Sequence, residues 1–345
     1  MSAEAVLSVA DLETIGSPKL WTITVAALML LLAVDFMLTR RPHEVRMREA
    51  VGWSVFYLAL PLIFGVYVWG VFGSGVAMEF FTGYVVEKSL SVDNLFVFML
   101  LLSAFAVPTA LAQRVLLYGI IGALVLRAIF IALGAAVLQS GTWAFLLFGG
   151  ILIVTAGKIL KDARSEKEQA VDISSMRTIR LLRRLMPVTN DYRGSHLVVR
   201  EDGRRALTPL ALAIVAVFAT DIVFAVDSVP AVYGVTEDPF LVFATNVFAL
   251  LGLRALYFVL LGVLTKLRHL NHGLGVILAF IGIKLVLHWA HDVWAWVPEI
   301  PTPISLGVII VVLITVTITS VYANRHDAKP PSSPAKREPR AQARR

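Results

Sequence analysis

Read for apolar and polar positions, the chain falls into nine long apolar stretches: 20–39, 51–72, 80–106, 114–138, 143–160, 209–233, 240–263, 273–291 and 302–322. Each is about the length a helix needs to cross roughly 30 Å of hydrocarbon. One connection, 161–208, is the only sizeable segment expected outside the bilayer. Within it, residues 173–186 place Ile173, Met176, Ile179, Leu182 and Met186 on one helical face with arginines around it. That pattern predicts a helix lying on an anionic membrane surface. Residues 196–205 then read as a small hairpin turning at Asp202 and Gly203. The end of the chain is rich in Pro, Ser, Arg and Lys and is expected to be disordered. The predicted division is a membrane domain, 1–322, that includes the 161–208 loop, and a basic tail, 323–345.

Composition agrees. Of 345 residues, 58% are apolar and 16% charged, outside the balance of a soluble domain. The absence of cysteine removes disulfides, thiolate catalysis and soft-metal thiolate sites. The opening residues Met1, Ser2, Ala3 and Glu4 form no basic n-region. The first apolar stretch is therefore expected to stay as a helix rather than be cleaved as a signal.

The net charge of +7 would fit a nucleic-acid binder, but its distribution is topological. Arg40, Arg41, Arg46 and Arg48, then Arg114, eleven Lys and Arg in 161–208, Lys266, Arg268 and the tail fall on one side of a nine-span bundle. Connections 73–79, 139–142, 234–239 and 290–301 hold no Lys or Arg but carry Glu79, Glu237, Asp238, Asp292 and Glu299. The positive-inside rule then places the N-terminus outside and the C-terminus in the cytoplasm. The expected partner is the lipid bilayer, not nucleic acid.

Candidate chemistry lies in the polar residues inside the apolar stretches. Glu87 and Asp93 stand six apart with Asn94 next; Asp221 and Asp227 stand six apart with Ser228 next. A carboxylate at the bilayer centre costs about 2.5–3.5 kcal/mol, so four of them need a reason, and the economical one is a cation. Carboxylate, amide and hydroxyl oxygens suit a hard or borderline ion such as Mn²⁺, Mg²⁺ or Ca²⁺ rather than Cu⁺. Protons can use the same carboxylates.

The two halves echo each other further. The stretch around Arg127 resembles that around Arg254, and 150–158, ending in Lys158, resembles 275–284, ending in Lys284. The third to fifth and the sixth to eighth predicted helices thus each carry an acid pair, an Arg and a Lys. Because they enter from opposite sides, the repeat is inverted, as in secondary transporters with midplane sites. The expected fold is an all-α polytopic membrane protein of about nine transmembrane helices with this inverted three-helix repeat. Arg127, Lys158, Arg254 and Lys284 are the expected charge partners of the acids. Inserting these eight charges singly would cost on the order of 20–28 kcal/mol, so they belong in the bundle interior, paired or hydrated. On an ideal helix Glu87 shares a face with Asn94, and Asp221 with Ser228, while Asp93 and Asp227 point about 120° away. Convergence requires an unwound helix, with Pro230, Ser89 and Ser91 marking where, or else two sites.

Plainer readings compete. The acids and bases could form a structural ion-pair network. Lys158 lies near a span end and is expected to snorkel. Asp35 suits an interfacial pair with Arg40, or a place on a pathway. His288, His291 and Asp292, and His269 with His272, have metal-like spacing but stand at membrane edges. Trp289, Trp294 and Trp296 read as an interfacial belt. No Ser/His arrangement, zinc-protease motif or ATP-binding loop appears, so neither an enzyme nor a permanently bound cofactor is expected. Two functions remain: gradient-driven cation transport, and a non-transporting scaffold that docks partners on its basic loop. Neutralising Asp93 should abolish the first and spare the second.

Residues 87–98, 220–231 and 246–257, together with the loop stretch 200–210, resemble the TerC/Alx family of bacterial membrane proteins over roughly residues 20–322. The resemblance implies a multi-pass protein of the bacterial inner membrane, linked to tellurium resistance by name and to Mn²⁺ export in its better understood members. It places Glu87, Asp93 and Asn94 at the family's acidic motif. The expected function is export of a divalent cation, Mn²⁺ foremost, with Glu87, Asp93, Asn94, Asp221, Asp227 and Ser228 as the ligand and proton-coupling set. An inside-negative potential opposes such export by about 4.6 kcal/mol per divalent ion at 100 mV, which proton exchange would offset.

Overall fold

In lipid, every backbone N–H and C=O must find its partner within the segment, so long apolar stretches become helices. The computed structural model describes residues 14–39, 47–164, 177–189, 191–201, 204–260, 269–294 and 296–327. Arg40, Arg41, Arg46, Lys266, Arg268, the first part of the predicted surface helix and the tail beyond 327 lie outside these. The helices are α1 (Pro18–Thr39), α2 (Met47–Phe72), α3 (Ser74–Ala104), α4 (Thr109–Gln139), α5 (Trp143–Arg164), α6 (Arg177–Leu185), α7 (Pro209–Tyr233), α8 (Pro239–Leu251), α9 (Leu253–Leu260), α10 (Leu270–Val293) and α11 (Thr302–Asp327). Two short strands, β1 (Val198–Glu201) and β2 (Arg204–Leu207), lie between α6 and α7.

Among the described residues, seven segments are long and apolar enough to cross a membrane: α2, α4, α5, α7, α8 with α9, α10 and α11. The apolar part of α1, Pro18–Val34, is shorter. The 31-residue α3 carries Glu79, Glu87, Lys88 and Asp93. Large apolar side chains such as Leu30, Ile63, Val154 and Ile318 point outward and exposed, as a lipid-facing surface requires. The protein is an all-α polytopic membrane protein.

Several expectations are corrected. The predicted 240–263 helix is interrupted at Gly252, where α8 ends and α9 begins. No unwinding occurs at the acid motifs. α7 is continuous through Pro230, which stands in its last turn and so removes a hydrogen bond without ending the helix. α3 is likewise unbroken; Ser89 Oγ donates to Val85 O at 2.6 Å, satisfied by its own helix. α11 runs to Asp327, five residues past the predicted domain boundary at 322.

The segment between α5 and α7 folds onto the bundle. Ile179, on the apolar face of α6, is only 1% exposed and joins the main core, so this face meets protein rather than lipid. The predicted hairpin strands pair, with Val198 opposite Leu207 and Glu201 opposite Arg204. Tyr192 Oη donates to Phe105 O at 2.7 Å, tying the segment to the end of α3. Thr208 caps α7 by accepting from Ala211 N, with Pro209 at the first helical position.

α5 and α10 form the most extensive helix pair, followed by α4 with α7 and α3 with α8. Tyr233, 1% exposed, bridges α7 to α4 through Oη, which donates to Ile131 O at 2.8 Å. Tyr233→Phe should lower stability by about 1 kcal/mol, the usual net worth of one such bond, as a small drop in melting temperature in detergent.

Candidate functional site

The centre of the bundle is organised around Arg127, on α4 and 1% exposed. Its Nη1 donates to Glu87 Oε1 on α3 and to Asn246 Oδ1 on α8 at 2.6 Å. Its Nη2 lies 3.7 Å from Asp221 Oδ1 on α7, an ion pair longer than a hydrogen bond. Asn94 completes the ring: with its amide turned to face the guanidinium, Oδ1 accepts from Nη2 at 3.2 Å and Nδ2 donates to Leu90 O at 3.1 Å. Asn246 is held in place by its own Nδ2, which donates to Val242 O at 2.9 Å. Arginine suits this place because its planar fork can serve several acceptors at once.

Glu87, Asn94, Asp221 and Asn246 are all buried. Even with Arg127 among them, the oxygens are not all satisfied. Glu87 Oε2, both Asp221 carboxylate oxygens, Ser91 Oγ and Ser228 Oγ have no hydrogen-bond partner among the described residues. Buried polar groups are nearly always paired, so five such oxygens on α3 and α7, helices packed against each other, mark a place built for something besides packing.

The structure therefore separates the expected ligand set. Glu87, Asn94 and Asp221 converge on Arg127, and Ser228 lies on Asp221's face of α7. Asp227 does not join them; its Oδ1 accepts from Thr155 Oγ1 on α5 at 2.8 Å, and Lys158 bears on it electrostatically. Asp93 lies on α3, but its side chain is outside the described residues, as is that of Asp35. Among the described residues, no three His, Asp or Glu side chains are grouped so as to hold a metal ion.

The bases do not all face the four acids as expected. Arg254 is buried on α9, and its Nη1 donates to Gln113 Oε1 on α4 at 3.3 Å. Lys158 is exposed on α5. Lys284 lines a separate cavity of about 1020 Å³ with Glu79, Glu237, Asp238, His288 and Glu299. It is the interior end of a polar vestibule where the α7–α8 turn, the α10–α11 connection and residues 14–15 meet.

In that vestibule Thr236 Oγ1 donates to Glu79 Oε2 at 2.7 Å. Asp238 caps α8 through Phe240 N and accepts from Thr14 Oγ1 and Ile15 N. His288 spans two carboxylates, 2.7 Å from Glu299 and 3.6 Å from Glu237. Burial holds Glu237 above its usual carboxylate range, opposed by His288 and reinforced by Asp292 and Glu299. His291 Nδ1 pairs with Val297 O at 2.6 Å, so this histidine pair ties the α10–α11 connection together. His269 and His272 sit with ring centroids 6.1 Å apart. Trp294 and Trp296 are exposed at the end of α10, in keeping with an interfacial belt.

Sequence reasoning missed Asn246, Thr155, Gln113 and Lys88. Asn246 and Thr155 carry no charge, and although Asn246 opens the family-like stretch 246–257, nothing there marks either residue as a partner of the acids. Lys88 is different: the rule that singles out Glu87, a charge inside an apolar stretch, applies equally to its neighbour.

The model of the Integral membrane protein TerC family matches residues 72–328. An uncharacterized membrane protein of Myxococcus xanthus is 40% identical over 319 residues, covering 92% of this chain and 98% of that protein. An uncharacterized membrane protein of Mycobacterium tuberculosis is 40% identical over 332 residues, 93% of this chain and 84% of its own length. The Escherichia coli protein Alx, named as a membrane-bound redox modulator, is 39% identical over 328 residues, covering 92% of this chain and 98% of its own. No solved structure matches.

Proposed function

This chain belongs to the TerC family of integral membrane proteins, and on that footing we propose that it is a secondary transporter exporting a divalent cation, Mn²⁺ foremost, in exchange for protons. The observation that carries the reading is the set of unpartnered buried oxygens of Glu87, Ser91, Asp221 and Ser228 on α3 and α7, with the two carboxylates set against a resident arginine. Glu87 and Asp221 against Arg127 leave a net negative charge in the core, which favours entry of a second cation. In this reading the guanidinium holds the carboxylates between turnovers, and the metal ion competes with it for them. Oxygen donors alone select a hard or borderline ion. Asp227 and Thr155 form a second station on the route, and Asp93 belongs to the same helix as Glu87. The N-terminus lies outside and the C-terminus in the cytoplasm of a bacterial inner membrane, so the vestibule of Glu79, Glu237 and Glu299 opens to the outside. A redox role like the one in Alx's name would not run through thiols here, since the chain has no cysteine.

Glu87→Gln and Asp221→Asn keep shape and remove charge. Expressed at matched membrane levels in a Mn²⁺-sensitive, exporter-deficient bacterium, the unaltered protein should lower cellular Mn²⁺ and restore tolerance, while both variants, with Asp93→Asn and Asp227→Asn, should not. Equal rescue by the neutralised variants would leave the carboxylates off any ion path and favour a scaffold acting through the 161–208 loop.

A further inference from the structure

We propose that Asn246 is the positioning residue that holds Arg127 while a divalent cation occupies the carboxylates. This deepens the transport reading above and rests on it. A cation that takes Glu87 and Asp221 from the guanidinium leaves a buried arginine in need of another partner, because an unpaired charge in the core is very costly. Asn94 stands in the expected ligand set and on the helix of Glu87. Among the described residues, Asn246 is the one polar contact of Arg127 that comes from neither α3 nor α7.

Its geometry suits that task. Asn246 is 1% exposed, and its Oδ1 accepts from Arg127 Nη1, the same nitrogen that donates to Glu87. The guanidinium can therefore release the carboxylate and keep the amide without crossing the core. Asn246 Nδ2 donates to Val242 O, one turn back on its own helix, which keeps the oxygen facing the arginine. Val242 O also accepts from Thr245 Oγ1 at 2.9 Å. Thr245 is fully buried and seats α8 on α3, where a Cβ on Gly83 would lie 3.2 Å from its Cγ2. α8 carries no charged residue between Pro239 and Leu251, and α4, the helix of Arg127, packs on it. The acids of α3 and α7 can close on a cation while the arginine stays on the side of α4 and α8.

The same reasoning explains why this acceptor is neutral. A partner alters cation affinity only as far as it favours one state over the other. In the empty cluster Arg127 already has Glu87 and Asp221, so the amide adds little. In the loaded cluster the amide is what remains, and its loss would orphan a buried donor, which costs more than the bond itself is worth. Aspartate would err the other way. With asparagine, cation entry turns a net negative cluster into a net positive one. With aspartate it would turn a doubly negative cluster neutral, so the cation would bind more tightly and leave more slowly. Asparagine holds the arginine without holding the cation.

Purified protein in proteoliposomes, with initial Mn²⁺ flux followed against Mn²⁺ concentration at matched amounts of folded protein, tests this in the unaltered chain, Asn246→Leu and Asn246→Asp. KM for Mn²⁺ should rise about tenfold or more in Asn246→Leu, the worth of a hydrogen bond to a charged group. In Asn246→Asp it should fall about tenfold, with kcat falling too, as a close buried charge pair is added. A merely structural tether would reduce the folded fraction in both variants and leave the KM of the remainder unmoved. The aspartate variant keeps an acceptor for Arg127, so it decides the matter even if the leucine variant folds poorly. An unchanged KM in Asn246→Leu, or an unchanged or raised one in Asn246→Asp, overturns the inference and leaves Mn²⁺ transport standing. An unaltered protein that moves no Mn²⁺ overturns both.

Discussion

Arg127→Met should cost the folded protein about 3–5 kcal/mol, the usual penalty for removing one partner of a buried ion pair. The loss is large because of what stays behind, not only what is removed. Glu87 is fully buried and Asp221 1% exposed, and without the guanidinium both would face each other in the core with no counter-charge. Asn94 and Asn246 would also lose the group they converge on. Adding Glu87→Gln and Asp221→Asn to Arg127→Met should recover much of the stability, because no uncompensated charge remains. Unfolding in detergent, followed by tryptophan fluorescence across the single, double and triple variants, measures this. A melting temperature for Arg127→Met equal to that of the unaltered protein would mean that the carboxylates are hydrated or protonated without it, contrary to the ion-pair cluster described.

The second large effect concerns the helix pair that frames Asp227's side of the bundle. α5 and α10 cross where Gly149 meets Gly282, and neither has space for a side chain. A Cβ on Gly149 would lie 2.8 Å from Gly282 O, and one on Gly282 would lie 3.0 Å from Gly149 O and 3.1 Å from Ile153 N. These obstacles are backbone atoms, which cannot swing aside as Phe218 can opposite Gly122. Without a hydrophobic drive between helices in lipid, close backbone approach supplies much of their association. Gly149→Leu and Gly282→Leu should each destabilise by about 3 kcal/mol or more, above the middle of the overpacking range, and both should reduce the folded fraction extracted from membranes. Gly150→Leu, one residue from Gly149 but open on its Cβ side, should be close to neutral and serves as the control. Equal losses at 149 and 150 would contradict the crossing.

Much of the architecture could be read from the chain because lipid enforces a simple code. Apolar runs of spanning length become helices: the described residues of these stretches are helical but for 105–106 and Gly252, and seven segments among them are long and apolar enough to cross. The hairpin was legible for a similarly local reason, strand residues flanking a two-residue turn. The site was legible only in part. Glu87, Asn94 and Asp221 were marked by their charge or spacing, but Asp227 was counted in the same set, with its different helical face leaving either an unwound helix or two sites open. That Arg127 alone would gather both leading acids was not visible, since the repeat offers Arg254 as an equal candidate and only the packing of α4 against α7 and α8 decides between them. Gly252 read as one more small residue in an apolar run; that a Cβ there would meet Tyr57 and Lys88, which come from other helices, is visible only in the fold. The apolar face of α6 was read as lipid-facing because amphipathicity does not say what covers it.

The central claim is that the carboxylates around Arg127 lie on the path of a divalent cation. Mn²⁺ flux into proteoliposomes holding only this protein, compared with Asp221→Asn at equal reconstitution and confirmed fold, tests it most directly. The account predicts Mn²⁺ flux in the unaltered protein, competition by Mg²⁺ or Ca²⁺ at higher concentration, and loss of flux in Asp221→Asn. Flux unchanged by Asp221→Asn, or absent from the unaltered protein across these three ions, would contradict it.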